Sequence, residues 1–269
     1  MNSLDTMPMS KLMIERRGGV THFTLNRAEV HNNVDADLAM ELADGISAFG
    51  ADAEAKVLVI SGAGDVSWCA GANLKGMREL FDHRVTHSAG PMGFCRLDPG
   101  KPVIAAINGN CWAGGVEFAC WCDFRIVDEK AKFGLLNKRW GLSLADGGTQ
   151  RLARVVGMGN ALYMIETGME IDAQNAYRMG LAQEVVPHGT AVQRAIAIAE
   201  HICSYGQVGL RADRKAALLG FGMPLPDALE LEAELCYEPA VAPEAMAGMD
   251  RFQKGSRPEP PRPVHVKFD

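Results

Sequence analysis

Residues 101–126 read KPVIAAINGNCWAGGVEFACWCDFRI, and this stretch decides the fold. The apolar run KPVIAAING predicts a buried strand, residues 113–121 predict a helix, and Cys122–Val127 predict a further strand. Strands that alternate with helices are typical of an α/β fold in which the strands pair largely in parallel. The stretch therefore predicts the α/β class.

The alternation continues on the N-terminal side. Two β-like runs, Leu12–Glu15 and Val20–Leu25, flank Gly18 and Gly19, a pair that permits the positive φ of a hairpin turn. In DADLAMELADGISAF the apolar residues recur at three and four positions, which predicts an amphipathic helix with Asp35 as its N-cap. The other predicted elements are a buried strand over Val57–Ile60, a glycine-rich turn over Ser61–Gly64 and a polar helical stretch over residues 74–90.

The C-terminal side is mostly helical from Gly147 onward. Helical apolar periodicity runs through GTQRLARVVG, GNALYMIETG, DAQNAYRMG, AVQRAIAIAEHICSYG and PLPDALELEAELCYE. No long linker separates this half from the first. The tail RPEPPRPVHVKFD holds four prolines, so a regular helix is excluded and we expect an extended or disordered arm.

Composition and charge restrict the class of protein. The chain has 269 residues, 48% of them hydrophobic, and a formal charge of −6, which indicate a globular protein and argue against nucleic acid or an anionic membrane as a general partner. The first twelve residues do not form a signal peptide and no apolar run is long enough to span a bilayer, so we expect a soluble, cytoplasmic protein without a membrane partner. The seven cysteines are an odd number and lie mostly in apolar stretches, which favours reduced core thiols over disulfides.

Several common chemistries lack their sequence signatures here. The chain contains no GxxxxGK[ST] phosphate loop, no GxSxG nucleophile elbow and no CxxC pair. His83 and His87 have the spacing of two metal ligands on one helix face, but no third ligand stands at a fitting distance. A solvated helix face is the favoured interpretation, and we expect no metal site.

Two glycine-containing turns carry the strongest physical signal. They are WCAGANLKGM at 68–77 and NGNCWAGGVEF at 108–118. Glycine lets the backbone approach a ligand closely, and N–H groups at a helix start carry partial positive charge. Two such turns facing each other could hold one oxyanion between them.

These turns belong to a longer series of motifs. LNRAEVHNN at 25–33, the two turns, FGLLNKRWGLSLADGGTQRL at 133–152 and GLAQEVVP at 180–187 together resemble the enoyl-CoA hydratase, or crotonase, family. The resemblance covers roughly Leu12 to Ala217. It implies a crotonase-like spiral of repeated ββα units, a helical C-terminal trimerisation region, an acyl-CoA thioester substrate and a place in fatty acid metabolism. It implies no separate cofactor, because coenzyme A is part of the substrate.

The resemblance also implies a division of the chain and an assembly. Residues 1–200 would form the spiral core with the acyl-CoA site, residues 201–256 a helical C-terminal region, and residues 257–269 a flexible proline-rich tail. The assembly would be a homotrimer, or a hexamer built as a dimer of trimers.

The resemblance assigns the oxyanion hole to the backbone N–H groups of Ala72 and Gly114. Glu117 matches the family glutamate that follows the second turn, and its apolar neighbours are expected to raise its pKa towards the working pH. The alternative is that Glu117 is only a first-turn helix acid favoured by the macrodipole.

The chain departs from the family at Asn137. In the two-glutamate hydratases the motif runs Phe-Gly, two residues, then Glu, whereas this chain has FGLLN. An amide can orient water but cannot exchange a proton near neutral pH. Asp146 could replace the missing acid, although an Asp before Gly-Gly-Thr at a predicted helix start is also a good N-cap. The catalytic residues are therefore expected among Glu117, Asp146 and Asn137.

The resemblance places a further set of residues along the substrate and coenzyme A path. They are Arg27, Glu29, Val30, His31, Ala70, Asn73, Leu74, Lys75, Trp112, Gly115, Leu136 and Trp140. Lys75 is a candidate for the phosphates, with a solvated lysine as the alternative. Lys254 is the nearest candidate for the usual C-terminal phosphate lysine, and Arg139 is interpreted as a structural ion-pair partner.

The sequence thus predicts an enoyl-CoA hydratase-like lyase that adds water across the 2,3 double bond of an enoyl-CoA. Two alternatives stay open: an enoyl-CoA isomerase or acyl-CoA hydrolase on the same scaffold, and a catalytically weak acyl-CoA binder.

Overall fold

The computed structural model describes residues 11–82, 89–257, 259 and 262. The strands are β1 (Leu12–Arg17), β2 (Val20–Leu25), β3 (Val57–Gly62), β4 (Ser67–Cys69), β5 (Val103–Ile107), β6 (Asn110–Trp112), β7 (Phe124–Asp128), β8 (Lys132–Gly134), β9 (Ile171–Asp172) and β10 (Glu184–Val186). The α-helices are α1 (Ala36–Ala51), α2 (Met77–Asp82), α3 (Gly114–Trp121), α4 (Gly148–Val156), α5 (Met158–Thr167), α6 (Ala173–Arg178), α7 (Ala191–Cys203), α8 (Gln207–Gly220), α9 (Leu225–Val241) and α10 (Pro243–Gln253).

The larger sheet has the strand order β1-β2-β3-β5-β7-β10 within the described residues. β1 and β2 form the predicted antiparallel hairpin, with β1 extending two residues beyond the predicted Glu15. The other neighbours pair in parallel, as the sequence predicts. Asp35 caps α1 by accepting the Leu38 N–H at 3.0 Å, which confirms its predicted role.

Both faces of the central strands β3 and β5 are buried, which explains their continuous apolar runs. On one face, Val57, Val59 and Ile104 pack against α7. On the other, Leu58 and Ile60 belong to the main core, which includes residues of α1 and α3. The face that carries α3 is the one that leads to the functional site.

The second sheet has the order β4-β6-β8-β9, and its first three strands pair in parallel. Each of these three short strands directly follows a strand of the larger sheet, and a helical segment comes next. β4 is followed by the 3₁₀ turn Leu74–Gly76 and α2, β6 by α3, and β8 by the 3₁₀ helix Leu136–Trp140. This repeat is the predicted ββα spiral. Its consequence is local: the turns that follow β4, β6 and β8 become spatial neighbours.

Among the C-terminal helices α8, α9 and α10, α8 makes a charged contact with the core. Arg214 on α8 makes a two-pronged ion pair with Asp123, at 2.9 and 3.0 Å, and a third contact with Asp98 at 2.9 Å. These helices expose many large apolar side chains, namely Leu218, Leu219, Leu225, Leu229, Tyr237, Val241, Met246, Met249 and Phe252. The predicted boundary at residue 200 falls inside α7, and α8 and α10 were not individually predicted.

The cysteines behave as the sequence predicts. Cys69, Cys95, Cys111, Cys120 and Cys122 are buried, Cys203 and Cys236 are partly buried, and all are unpaired. Burial raises the pKa of Cys69 and of Cys95 to about 12, which makes them poor nucleophiles.

Two sequence interpretations lie outside the described residues: the solvated face of His83 and His87, and most of the tail at 257–269. In the part of the chain that is described, no helix has the length and apolarity needed to cross a membrane.

Candidate active site

The two glycine turns meet because β4 and β6 are parallel neighbours. Gly71 has a φ of +82°, and a Cβ placed on it would lie 2.5 Å from the Gly114 nitrogen. A Cβ on Gly115 would collide with the Cys69 carbonyl oxygen. Glycine at these positions is therefore what lets the two backbones touch.

Ala72 and Gly114 each offer a backbone N–H at this contact. Val34 donates to the Gly71 carbonyl at 2.8 Å and accepts from the Asn73 N–H at 2.8 Å, so the Ala72 N–H faces away from Val34. Gly114 is the first residue of α3, where an N–H has no intrahelical partner. Among the described residues neither N–H donates a hydrogen bond to an acceptor.

Ala113, just before α3, has a strained backbone. Its φ of +51° and ψ of −118° lie in a backbone region that residues with a side chain rarely adopt. Its N–H donates to the Gly134 carbonyl of β8 at 2.7 Å. The strained turn brings the Gly114 nitrogen against Gly71. Strain of this kind is characteristic of functional turns.

Glu117 lies in the first turn of α3, next to Phe118, which packs in the core. Phe118 stacks on Phe94 with ring centroids 4.2 Å apart and also contacts Trp68, so it points into the core. Glu117 is 3% exposed and lines the cavity described below.

The Glu117 carboxylate is held by main-chain donors. Its Oε1 accepts the N–H of Asp146 at 2.8 Å and the N–H of Gly148 at 2.9 Å. Burial raises the pKa of Glu117 to about 7; the Gly148 N–H opposes this shift and the nearby Asp146 charge adds to it. An acid favoured only by the macrodipole of α3 would not make these contacts with the N–H groups at the start of α4.

The predicted N-cap role of Asp146 is wrong. α4 begins after Gly147, which has a left-handed φ of +93° and leaves the helix without a side-chain cap. Asp146 is instead 2% exposed, and its Oδ1 accepts the Met92 N–H at 2.9 Å. The physical reason is that the left-handed Gly147 turns the chain between Asp146 and α4, and Glu117 takes the N–H of Gly148 that a cap would have used. Burial also raises the pKa of Asp146.

Asn137 follows β8 in the 3₁₀ helix Leu136–Trp140. Its side chain is nearly buried, with 7% of the residue exposed. Its Nδ2 donates to the Leu142 carbonyl at 2.8 Å. Its Oδ1 is buried and has no hydrogen-bond partner in the described part of the chain.

A cavity of about 150 Å³ brings most of the predicted catalytic and oxyanion residues together. The predicted site residues that line it are Ala70, Ala72, Leu74, Trp112, Gly114, Glu117, Leu136, Asn137, Trp140 and Asp146. Trp140 lines the cavity but is 69% exposed, so it stands at the rim.

Several predicted residues do not line this cavity. Arg27 is bound to Asp35 at 2.9 Å and to Asn33, so its guanidinium supports the turn before α1. His31 contacts the Ser67 hydroxyl through Nδ1 at 3.1 Å and packs 6.2 Å from the Trp112 ring. The remaining positions outside the cavity are Glu29, Val30, Asn73, Lys75, Gly115 and Lys254.

The lysines and arginines near the site are mostly solvated. Lys75 is exposed, immediately after the cavity residue Leu74. Lys254 is exposed at the end of α10. Arg139 pairs with Glu170 at 3.6 Å, which confirms its structural interpretation.

Sequence reasoning missed four large apolar residues that line the cavity. They are Met77, Met92, Leu142 and Leu144. Met92 packs against the backbone of Gly114: a Cβ placed on Gly114 would lie 2.6 Å from the Met92 methyl carbon. These residues stand in loops or at a helix start, where no apolar periodicity marks them.

Comparison with known proteins agrees with this geometry. The family described as "Enoyl-CoA hydratase/isomerase" matches residues 15–259. A crotonyl-CoA hydratase of Syntrophomonas wolfei is 34% identical over 93% of this chain and 98% of its own, and a short-chain-enoyl-CoA hydratase of Clostridium acetobutylicum is 34% identical over 92% and 97%. The crystal structure of an enoyl-CoA hydratase from Bacillus anthracis superposes with a TM-score of 0.87 at 32% identity, over 93% of this chain and 99% of that one. The chain belongs to the enoyl-CoA hydratase/isomerase family.

Proposed function

We propose that the protein is an enoyl-CoA hydratase that adds water across the 2,3 double bond of a 2-enoyl-CoA thioester. The observation that carries the proposal is the position of Glu117, a carboxylate with a pKa of about 7, in the same cavity as the N–H groups of Ala72 and Gly114. A group with this pKa can both take and return a proton near neutral pH. The hydratase names of the relatives support the same reaction.

The proposed reaction uses one carboxylate. Glu117 takes a proton from water as the water oxygen bonds to the β-carbon, and the double-bond electrons move towards the thioester carbonyl to give an enolate. The enolate oxygen accepts hydrogen bonds from the N–H groups of Ala72 and Gly114. The protonated Glu117 then gives its proton to the α-carbon, and the carbonyl re-forms.

We expect the two N–H donors to make the largest contribution to lowering the activation free energy of hydration. They are fixed by the backbone contact between Gly71 and Gly114, so they need no reorganisation when charge develops on the oxygen. Loss of one such donor costs about 3 kcal/mol in comparable sites. Glu117 supplies a further contribution through its Oε2, which accepts no hydrogen bond from the described residues.

For the coenzyme A portion we propose a path that leaves the cavity past Ala70 and Leu74. Lys75 follows Leu74 and has an exposed ammonium group, which suits a phosphate contact. The proposed reaction needs no cofactor beyond the coenzyme A that the substrate already carries.

We also propose that the chain assembles as a homotrimer through its C-terminal helices. α8, α9 and α10 expose large apolar side chains such as Leu225, which is 71% exposed, and Tyr237, which is 73% exposed. Exposed apolar patches of this kind are typical of protein interfaces. Analytical ultracentrifugation tests the proposal: a monomer at micromolar concentration would contradict it.

Three products distinguish the proposed reaction from its alternatives. Hydration of crotonyl-CoA removes the absorbance of the conjugated thioester, double-bond migration in a 3-enoyl-CoA creates it, and hydrolysis releases a free thiol. We expect only the first, and we expect Glu117→Gln to lower kcat by at least about 10²-fold. A rate that stays within threefold would remove Glu117 from the mechanism, and turnover at background in both proteins would leave only an acyl-CoA binder.

A further inference from the structure

Asp146 carries a buried charge that neither the fold nor the proposed reaction uses. The residue is 2% exposed, and its Oδ1 accepts a hydrogen bond from a neutral donor, the Met92 N–H, at 2.9 Å. The Cys95 thiol is a second neutral donor to this carboxylate. An asparagine oxygen would accept the Met92 N–H equally well, whereas a carboxylate adds the free-energy cost of burying a charge. The fold therefore explains the oxygen of Asp146 but not its charge.

The described lining of the cavity holds no cation that would offset this charge. Only Glu117 and Asp146 among those lining residues ionise near neutral pH, and both are acids. Arg151 is close, but it donates to the main-chain carbonyls of Asp146 and Cys95 and lines a different cavity. Burial raises the pKa of Asp146 even though nearby arginines oppose the shift. The negative charge is thus incompletely compensated.

The amide oxygen of Asn137 adds to the negative character of the cavity. Its Nδ2 donates to the Leu142 carbonyl at 2.8 Å, which leaves the buried Oδ1 without a donor in the described part of the chain. The residue is 7% exposed and lines the same cavity as Glu117 and Asp146. Native proteins rarely leave a buried acceptor unpaired unless a ligand or water completes it. Three side chains therefore bring negative or partly negative oxygens to one small space.

Asp146 lies where the acyl chain continues beyond the reacting carbons. Its N–H donates to Glu117 Oε1 at 2.8 Å, so the residue is adjacent to the group that faces the β-carbon in the proposed reaction. The residues directly before it, 142–145, also line the cavity. The next acyl carbon, C4, and the group attached to it are therefore the part of the substrate closest to this charge.

The other walls suit a large, weakly hydrated cation. Met77 and Met92 present flexible thioether side chains, and the indole rings of Trp112 and Trp140 line the same cavity. Aromatic faces attract cations through the ring quadrupole, and quaternary ammonium groups are the ligands best known to use this interaction. A hydrophobic acyl tail would fit these walls as well, but it would leave the charge of Asp146 unpaired.

We propose that the cavity selects 2-enoyl groups that carry an ammonium group on C4, and that Asp146 pairs with this positive charge. This inference rests on the proposed hydratase function and specifies its substrate class. Glu117 remains the base, and Asp146 takes no part in proton transfer. A carboxylate at the same place in the acyl group would be repelled by both acids.

The test compares three saturated thioesters that cannot be hydrated. 4-(Trimethylammonio)butanoyl-CoA carries the cation, 5,5-dimethylhexanoyl-CoA is its uncharged carbon isostere, and glutaryl-CoA has a carboxylate at the same position. Their dissociation constants are measured by calorimetry on the intact protein. We expect the cation to bind at least about tenfold more tightly than the isostere, and glutaryl-CoA to bind more weakly than either.

Two matched variants assign the preference to a residue. Asp146→Asn keeps an oxygen for the Met92 N–H and removes only the charge, so the preference for the cation over the isostere should fall to about threefold or less. Asp44→Asn removes the same charge from an exposed position on α1 and should leave the preference unchanged. The order of the three ligands in the wild type tests the proposal even without a variant.

The outcomes distinguish this inference from the proposed function. Hydration of crotonyl-CoA by a wild type that binds the cation and its isostere equally, or binds none of the three thioesters, would overturn the charge recognition and leave the hydratase intact. A preference that survives in folded Asp146→Asn would overturn the role of Asp146. A preference for the cation without hydration of crotonyl-CoA or of 4-(trimethylammonio)but-2-enoyl-CoA would support the charge recognition and contradict the hydratase.

Discussion

The Glu117 carboxylate accepts the backbone N–H of Asp146 at 2.8 Å, so the two acids of the cavity are joined through the main chain. Their side chains remain separate: Asp146 directs Oδ1 to the Met92 N–H. Each acid thus keeps its position when the other is changed to its amide, which makes their contributions experimentally separable.

Replacing Glu117 by Gln should stabilise the protein at high pH. Glu117 has a folded pKa of about 7, above the ordinary value of 4.5, so the folded protein binds this proton more tightly than the unfolded chain. The resulting penalty is absent below about pH 4.5, grows as pH rises, and is complete above pH 7. We expect Glu117→Gln to gain on the order of 3 kcal/mol at pH 8 and little at pH 4.5, measured by denaturant unfolding. Glu79→Gln, on the exposed surface of α2, is the control and should show no such difference.

The pH profile of hydration should have one ascending limb. Glu117 must be deprotonated to accept a proton from water, so kcat/KM should rise with a midpoint near pH 7. Asp146→Asn should move the midpoint to lower pH, because the Asp146 charge helps to raise the pKa of Glu117. A descending limb between pH 7 and 9 that disappears in Asp146→Asn would instead identify Asp146 as a proton donor.

Asp146 should be more important for its acceptor oxygen than for its charge. Asp146→Asn keeps an oxygen for the Met92 N–H, whereas Asp146→Ala leaves that buried donor unpaired. We expect Asp146→Ala to be less stable than Asp146→Asn by about 1–3 kcal/mol in thermal or denaturant unfolding. Equal stability of the two variants would mean that the hydrogen bond to Met92 contributes nothing.

The contact between Gly71 and Gly114 should be essential for activity. In Gly71→Ala the new methyl group would lie 2.5 Å from the Gly114 nitrogen, and the φ of +82° would be strained. Displacement of one oxyanion donor should lower the hydration kcat about 10²-fold or more. Gly159→Ala on α5 is the matched control, because its Cβ meets nothing within 4 Å and the helix should gain slightly. Normal turnover by Gly71→Ala would exclude this backbone contact from the mechanism.

Ala113→Gly should relieve backbone strain. Glycine accepts a φ of +51° with a ψ of −118° far more readily than alanine, and this gain exceeds the extra flexibility of glycine in the unfolded chain. We expect the variant to be more stable by about 1 kcal/mol, with hydration within threefold of the wild type. A lower melting temperature would show that the fold does not strain this turn.

The sequence predicts the catalytic centre better than the walls around it. Glu117 stands in the second glycine turn and the first turn carries its own glycine pattern at 68–77, so the α/β class, the main strands and the position of the proposed base are recoverable. The strands β4, β6 and β8 have three residues each, too few to show any periodicity, yet they bring the turns together.

Asp146 and Met92 illustrate what the pattern could not predict. The Asp-Gly-Gly-Thr signature of an N-cap is correct about where α4 starts and wrong about the side chain, because the left-handed Gly147 intervenes. Met92 reaches the site from a loop more than twenty residues before Gly114. Such contacts are decided by tertiary packing, which local sequence does not encode.

Glu117 accepts its hydrogen bonds from main-chain N–H groups at residues 146 and 148. The N–H of residue 146 does not depend on the side chain there, whereas residue 148 must stay glycine, because a Cβ would lie 2.6 Å from Glu117 Cγ. The proposed base is therefore insulated from the side chain at residue 146 but not from one at residue 148. Side chains at residues 137 and 146 can be exchanged while the Glu117 carboxylate keeps both of its main-chain hydrogen bonds. A site built in this way is a convenient starting point for evolving or engineering new acyl-CoA reactions, since each trial requires only one side chain to change.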